Sequence, residues 1–212
     1  MKQMRILLGG KHHDFDGFAA AITPIYQQAG YQVEATYDRD MLLGLAEDPV
    51  DVVLLYTCFG RSGENDQANE GLTAAHTEAL TNWVQNGGGL LAAHAATVSG
   101  QTDAAFRRLV GGAFVSHPPQ FTFTLYPMFE AHPITGGVES FAVHDEFYIQ
   151  HYDPGIEVHM AAFDRGVGHP MVWSRAEGEG RVAHIAVGHG PRTWRLDPYQ
   201  QLMAQAAAWL AL

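Results

Sequence analysis

Short apolar runs alternate with helical patterns in the first half of the sequence, and this alternation constrains the fold most. The runs at 4–10, 50–57 and 89–95 are continuously apolar, as in strands buried on both faces of a sheet. Alternating polar and apolar residues over 31–37 predict another strand. Helical patterns lie between or after these segments, over 16–30, 72–88 and 102–112. Strands separated by helices pair in parallel, so we expect a parallel sheet with helices on both faces.

The ends of the predicted helices are marked by capping residues. Asp16 is the expected N-cap of the first helix, with Asp14 as the alternative cap if KHHD is only a polar turn; Gly30 follows the last turn, and Pro24 predicts a kink or a break inside the helix. A final helix is predicted to open at Asp197 as N-cap, with Pro198 in its first turn.

The second half has short, alternating segments rich in β-branched and aromatic residues. Such segments predict hairpins and additions to the sheet. They lie at 120–130, 141–150, 158–164, 170–175 and 181–188. The predicted fold class is α/β, with a parallel sheet, flanking helices and extra β-hairpins in the second half. Because no linker stands out, we expect one domain over residues 1–212.

Charge and cysteine content exclude several functional classes. The chain has 12 basic and 23 acidic residues, a net charge of −11, so we expect no nucleic-acid partner. No apolar run approaches the ~20 residues of a membrane helix, and the first residues lack a leader pattern. The single cysteine, Cys58, excludes an internal disulfide and fits a cytoplasmic location. No G-x-G-x-x-G follows a strand, so we expect no bound NAD.

Histidines are frequent, 12 in all, and several follow predicted strands. In an open parallel sheet, ligands bind beyond the carboxyl ends of the strands. The polar residues that we expect near this edge are His12, His13, Asp14, Thr57, Cys58, Arg61, His94, His117, His144, Asp145, Glu146, Tyr148, His189, Arg192 and Trp194.

Several motifs in order along the chain together resemble the ThuA-like (trehalose-utilisation) family. They are GGKHHDFDG, GGGLLAAHAATVS, LVGGAFVSHPP, HPITGGV, HDEFY, PMVWSRAEGEGRVAHIAVGHG and a final tryptophan followed by YQQL. The resemblance implies a flavodoxin-like fold similar to that of the class I glutamine amidotransferases. It also implies a role in the metabolism of trehalose and related sugars, through keto-sugar intermediates.

The resemblance to amidotransferases does not extend to glutaminase chemistry. In those enzymes a nucleophilic cysteine follows the strand that corresponds to 89–95, whereas His94 stands there in this chain. An imidazole cannot form the thioester that glutamine hydrolysis requires. Cys58 follows a different strand and lacks the spacing of a nucleophile elbow, so we expect no glutaminase activity.

Three roles for His94 remain open from the sequence. It is a structural histidine, an acid–base catalyst assisted by Glu146 or Asp145, or a metal ligand. A metal such as zinc would be held by His12 or His13, by His94, His117 and His189, and by a carboxylate. We predict His94, Glu146 and His189 as catalytic residues, with His94, His117 and His189 as possible metal ligands. The predicted substrate-binding residues are His12, His13, His117, Tyr148 and Trp194, the last two by stacking on a sugar ring.

These residues predict an enzyme that acts on trehalose-like disaccharides or their keto derivatives by histidine and carboxylate acid–base chemistry. The alternatives are a non-catalytic module that binds a sugar or small ligand, and a partner subunit of a sugar oxidoreductase. The many strands with exposed edges in the second half also predict a homodimer.

Overall fold

The structure is a computed structural model that describes residues 1–48, 50–60, 71–128 and 132–211. The strands are β1 (Lys2–Gly10), β2 (Tyr31–Thr36), β3 (Val52–Cys58), β4 (Gly89–Ala93), β5 (Gly112–Ser116), β6 (Phe121–Pro127), β7 (Phe141–Asp145), β8 (Ile149–Tyr152), β9 (Glu157–Asp164), β10 (Val167–Glu177) and β11 (Gly180–Ile185). The α-helices are α1 (Phe15–Gln28), α2 (Ala74–Gln85), α3 (Ala104–Val110), α4 (Pro191–Trp194) and α5 (Asp197–Leu210). Segments of 3₁₀-helix cover Arg39–Leu42 and His94–Gln101.

Nine of the described strands form one sheet, in the order β2-β1-β3-β4-β11-β10-β9-β6-β7. The first five strands in this order are parallel, and the others continue the sheet as antiparallel neighbours. Strands β5 and β8 pair with each other in a separate two-stranded sheet. The predicted α/β class, with a parallel sheet and extra hairpins in the second half, is confirmed.

The parallel part of the sheet is buried on both faces, which explains its continuously apolar strands. Side chains of β1 alternate between the faces: Met4, Ile6 and Leu8 pack with α1 and α5. Leu7 points the other way and packs in the cluster that includes α2 and α3. The sheet is therefore the central layer between two layers of helices, so a ligand can bind only at its edges.

The first helix differs from the prediction at its N-cap, whereas Gly30 follows the C-cap residue Ala29 as predicted. It begins at Phe15, and its N-cap is Asp14 rather than Asp16, because the Asp14 carboxylate accepts a hydrogen bond from the Gly17 amide at 2.9 Å. The helix continues through Pro24 without a break. Pro24 and Ala20 are both exposed, so the Ala20 carbonyl that loses its helical partner faces water.

The second half also departs from the prediction. The segment 141–150 is not one strand: β7 ends at Asp145, β8 begins at Ile149, and the two belong to different sheets. The strand predicted at 181–188 is β11, which ends at Ile185 and lies in the parallel part of the sheet, beside β4. Residues 112–116 form β5, which the sequence analysis missed. Helix α5 begins one residue before the predicted position, with Leu196 as its N-cap.

Within the described residues, every helix is too short or too polar to cross a membrane. The cytoplasmic location and the homodimer stay predictions.

Candidate active site

A cleft of about 520 Å³ opens beyond the carboxyl ends of β1 and β3. Its volume lies within the range typical of small-molecule sites, roughly 300–1,000 Å³. The residues that line it are Lys11, His12, His13, Cys58, Gly60, Val98, Phe114, His117, Glu146 and Tyr148. The cleft therefore lies at the edge of the sheet where the sequence predicts a site.

His13 reaches the cleft because the chain turns sharply after β1. Gly9 and Gly10 have φ values of 146° and 109°, and His12 follows with a φ of 71°. The Nδ1 atom of His13 lies 3.0 Å from the carbonyl oxygen of Lys11. Its Nε2 atom is buried and has no hydrogen-bond partner among the described residues.

His94 begins the 3₁₀ segment directly after β4, so the predicted strand over 89–95 ends one residue before it. It is fully buried and has a φ of 48°, a left-handed conformation that costs a non-glycine residue free energy. Its Nδ1 atom lies 2.7 Å from the carbonyl oxygen of Ala186. Its Nε2 atom lies 3.2 Å from the Tyr148 hydroxyl and 3.4 Å from Oε2 of Glu146.

Glu146 is the centre of the site. It follows β7 and is 8% exposed. His189 follows β11 and places its Nδ1 atom 3.2 Å from Oε1 of Glu146, while His117 Nε2 lies 3.6 Å from the same oxygen. One carboxylate thus contacts three imidazoles, those of His94, His117 and His189.

Asp145 links the segment that carries Glu146 to the segment that carries His189. Its carboxylate accepts hydrogen bonds from the backbone amide of Gly188 at 2.9 Å and that of His189 at 3.2 Å. It also accepts one from the Thr193 hydroxyl at 2.5 Å. Because Asp145 precedes Glu146, the end of β7 and the turn after β11 are fixed relative to each other.

The electrostatics of the site reflect these pairings. Burial would raise the pKa of the Glu146 carboxyl, but its pairing with His189 and His94 outweighs burial and holds the pKa below its usual range. The same pairing with Glu146 raises the pKa of His189. Burial, together with repulsion from His94, lowers the pKa of His13 to about 3.

Four side chains of the site have the chemistry of metal ligands. The candidate ligand atoms of His13, His94, Glu146 and His189 all lie within 4.8 Å of one another. His117 contacts Glu146 but lies outside this group, unlike in the predicted ligand set. A second group, formed by His132, Glu157 and His159, lies away from the cleft.

The predicted substrate-binding residues divide into two sets. His12, His13, His117 and Tyr148 line the cleft. Trp194 does not: it is 2% exposed, packs against Phe18 and Tyr56, and donates its indole N–H to the Gly188 carbonyl at 2.6 Å. Its ring is too buried to stack on a sugar. Trp194 instead stabilises the turn before His189 through this hydrogen bond.

The other residues from the sequence analysis lie outside the cluster of Glu146 and its histidines. Burial raises the pKa of the Cys58 thiol to about 11, which keeps it protonated at neutral pH. His144 is exposed and contacts the Thr122 hydroxyl at 3.2 Å, and Arg192 is exposed on α4. Arg61 lies outside the described residues.

The sequence analysis did not predict some cleft residues, because they lie in segments without a clear hydrophobic period. Phe114 lies on β5, and its ring is 4.6 Å from that of Tyr148, between their centroids. Val98 lies in the 3₁₀ segment after His94. The glycine pair 111–112, which the helical pattern over 102–112 includes, is the signal in the sequence for the end of α3 and the start of β5.

Comparisons with known proteins agree with this architecture. The profile of the ThuA family, described as trehalose utilisation, matches residues 6–210. A ThuA-like protein from Parabacteroides merdae ATCC 43184 has a TM-score of 0.81 at 19% identity, over 99% of this chain and 90% of its own. A second, from Bacteroides uniformis ATCC 8492, has a TM-score of 0.76 at 19% identity, over 99% of this chain and 91% of its own.

The fold also occurs inside a larger enzyme. The cold-adapted beta-galactosidase from Rahnella sp. R3 matches 99% of this chain with 30% of its own, at a TM-score of 0.68 and 16% identity. At these identities the structural likenesses show the fold alone. A comparison with curated proteins finds no significant match. Because the family profile covers almost the whole sequence, the chain belongs to the ThuA family of trehalose utilisation.

Proposed function

We propose that this protein is an enzyme of carbohydrate metabolism that transfers protons to or from a trehalose-like disaccharide or its keto derivative. The observation that carries the proposal is the contact of the Glu146 carboxylate with three imidazoles beside an open cleft. Membership of the trehalose-utilisation family supports a sugar as the substrate.

The chemistry of a keto sugar suits this cluster. A carbonyl group acidifies the C–H bond next to it, and a carboxylate within reach can remove that proton. The C–H electron pair then forms a C=C bond as the glycosidic C–O bond breaks. A neighbouring imidazolium gives its proton to the departing oxygen, so that charge and protons balance. A divalent cation held by the same side chains would take up their lone pairs, and it would then act by polarising the carbonyl in place of their proton transfer.

The lining of the cleft is compatible with a sugar. Phe114 and Val98 are half-buried and border the cleft, where they give an apolar wall for pyranose C–H groups, while Tyr148 is 2% exposed and packs against Phe114 with ring centroids 4.6 Å apart. Lys11, His12 and His117 border it with polar groups that can bind hydroxyls.

The test replaces the central carboxylate. We expect Glu146→Gln to lower the turnover of 3-keto-trehalose by about 10²- to 10⁴-fold, because the amide cannot accept the proton. Products from trehalose and 3-keto-trehalose are measured by mass spectrometry and NMR. Glu139→Gln, at an exposed loop position, is the matched control and should retain full turnover.

Two outcomes would reject the enzymatic function. Sugar binding without any turnover by the wild-type protein would favour the non-catalytic binding module. Turnover that appears only with a co-purifying dehydrogenase would favour the partner subunit of an oxidoreductase.

A further inference from the structure

We propose that His13, His94, His189 and Glu146 form a binding site for one divalent transition-metal ion, with Zn²⁺ as the representative ligand. The proposal goes beyond sugar chemistry, since it stands on the arrangement of lone pairs in the cluster. Three nitrogen donors and one oxygen donor, all within 4.8 Å of one another, match the ligand number and types of zinc sites.

The backbone contacts of two imidazoles determine which nitrogen atoms face the site. The Nδ1 atoms of His13 and His94 lie 3.0 and 2.7 Å from the carbonyl oxygens of Lys11 and Ala186. A carbonyl only accepts hydrogen bonds, so each Nδ1 carries the proton. In a neutral ring, each Nε2 then directs a lone pair into the cluster. Metal-binding histidines usually have such an outer hydrogen bond, which orients the ring.

The candidate ligand atoms of the cluster face a common centre. Nε2 of His94 lies 3.4 Å from Oε2 of Glu146, and Nδ1 of His189 lies 3.2 Å from Oε1 of the same carboxylate. The His13 ring is centred 5.0 Å from the His94 ring and 4.8 Å from the His189 ring. Where these atoms carry lone pairs, the arrangement is repulsive unless a proton or a metal cation lies between them.

His13 distinguishes a metal ion from shared protons. Protons shared by Glu146 with His94 and His189 would remove the repulsion among those three side chains, although the Nδ1 atom of His189 makes no hydrogen bond with the described residues as it stands. They would leave the buried Nε2 atom of His13 without a hydrogen-bond partner in the part of the chain that the structure describes, as it is now. A buried polar atom without a partner is costly, and a cation at the centre of the group provides one. The Nε2 atom of His94 accepts a hydrogen bond from the Tyr148 hydroxyl at 3.2 Å, and a metal ion bound at this atom would displace that hydrogen bond.

The ligand types determine the expected selectivity. Imidazole nitrogen suits Zn²⁺, Fe²⁺, Ni²⁺ and Cu²⁺, whereas Mg²⁺ and Ca²⁺ prefer sites made of oxygen. We therefore expect one Zn²⁺ per chain by calorimetric titration of tag-free, chelator-treated protein, and no heat from Mg²⁺. Titration with Co²⁺ should produce visible absorption from nitrogen coordination.

Matched histidine variants test the site itself. His13→Ala should weaken Zn²⁺ binding by more than about 100-fold, because it removes a ligand rather than an outer contact. The neighbouring His12→Ala leaves the group intact and should bind as the wild type does. His132→Ala removes a ligand atom from the second group, and it too should leave the titration unchanged. Circular dichroism confirms that each variant is folded.

The Zn²⁺ titration tests the metal site independently of the proposed sugar chemistry. Failure to bind Zn²⁺, or binding that His13→Ala does not weaken, overturns the metal site, whatever the protein does to sugars. Stoichiometric Zn²⁺ binding that His13→Ala abolishes establishes the site even if neither metal-loaded nor metal-free protein converts 3-keto-trehalose. In that case the proposed sugar chemistry alone is rejected.

Discussion

At the scale of single residues, Asp145 determines the geometry of the site although it does not line the cleft. Its carboxylate accepts hydrogen bonds from two backbone amides and a hydroxyl of the segment 188–193. These contacts place His189 beside Glu146, so Asp145 is a positioning residue. The sequence indicated an acidic pair here, but it did not show which carboxylate faces the cleft and which faces the backbone.

Replacing Asp145 should therefore destabilise the fold as well as the site. Asp145→Asn loses a charged acceptor and turns an amide N–H₂ toward backbone N–H groups, at a cost of about 1.5–3 kcal/mol in the free energy of unfolding. Urea denaturation measures this change. Asp164→Asn is the control, because it removes only an ion pair with the neighbouring Arg165, which is exposed and contributes little. Equal midpoints for the two variants would show that Asp145 does not hold the turn.

At the scale of secondary-structure elements, glycines at the ends of parallel strands turn the chain toward the cleft. Gly10 ends β1 with a φ of 109°, and Gly188 follows β11 with a φ of 135°. A Cβ atom at Gly10 would lie 2.1 Å from the carbonyl oxygen of Cys58, so only glycine fits. This close approach brings His12 and His13 to the carboxyl end of β3.

We expect Gly10→Ala to be more destabilising than the same change at Gly30. Gly30 also has a positive φ, of 89°, but nothing lies within 4 Å of its virtual Cβ. Gly30→Ala therefore adds only backbone strain, about 1–2 kcal/mol, whereas Gly10→Ala adds a clash with the backbone of β3. Thermal and urea unfolding compare the two, and a smaller loss at Gly10 would contradict this reading of the turn.

At the scale of the whole molecule, the sheet combines strands from both halves of the chain around a buried histidine. His184 lies on the central strand β11, fully buried, with its ring centred 4.1 Å from that of Trp173. Burial, with a further contribution from His94, lowers its pKa to about 3. Folding thus keeps this imidazole neutral at a pH where the unfolded chain would protonate it.

This difference makes stability depend on pH in a defined direction. The unfolded state binds the His184 proton near its ordinary pKa of 6.5, and the folded state only near 3. Between these values the unfolded state holds more protons, so the free energy of unfolding falls as the pH falls from about 6.5 toward 3. His13 and His159, whose pKa values are lowered to about 3 and about 4, contribute with the same sign.

Replacing His184 should flatten this dependence. His184→Gln keeps a polar side chain beside Gln150 but has no proton to gain, so its slope of unfolding free energy against pH should be shallower by up to one proton. Urea denaturation at several pH values measures the slope. His151→Gln, at an exposed position on β8, is the control. An unchanged slope for His184→Gln would mean that another group causes the acid sensitivity.

Much of the local structure and the edge that carries the site could be predicted from the sequence. The apolar runs identify β1, β3 and β4 because side-chain burial follows a short local period. Since the carboxyl ends of parallel strands share one edge, His13 and His94 could be assigned to it in advance. Errors occurred where neighbouring signals compete, as between Asp14 and Asp16 for the cap of α1, or where one apolar segment divides between two sheets at Glu146.

The amino-acid sequence by itself determined the α/β class, the helices and strands of the first half, and the chemical types available at the site. Only the tertiary structure decided that β11 lies beside β4, that His13 rather than His117 joins the candidate metal ligands, and that Trp194 is buried. The physical reason is the distance along the chain over which each kind of interaction acts. Periodicity and capping act over a few residues, whereas strand order and side-chain convergence depend on burial shared between segments that are distant in the chain.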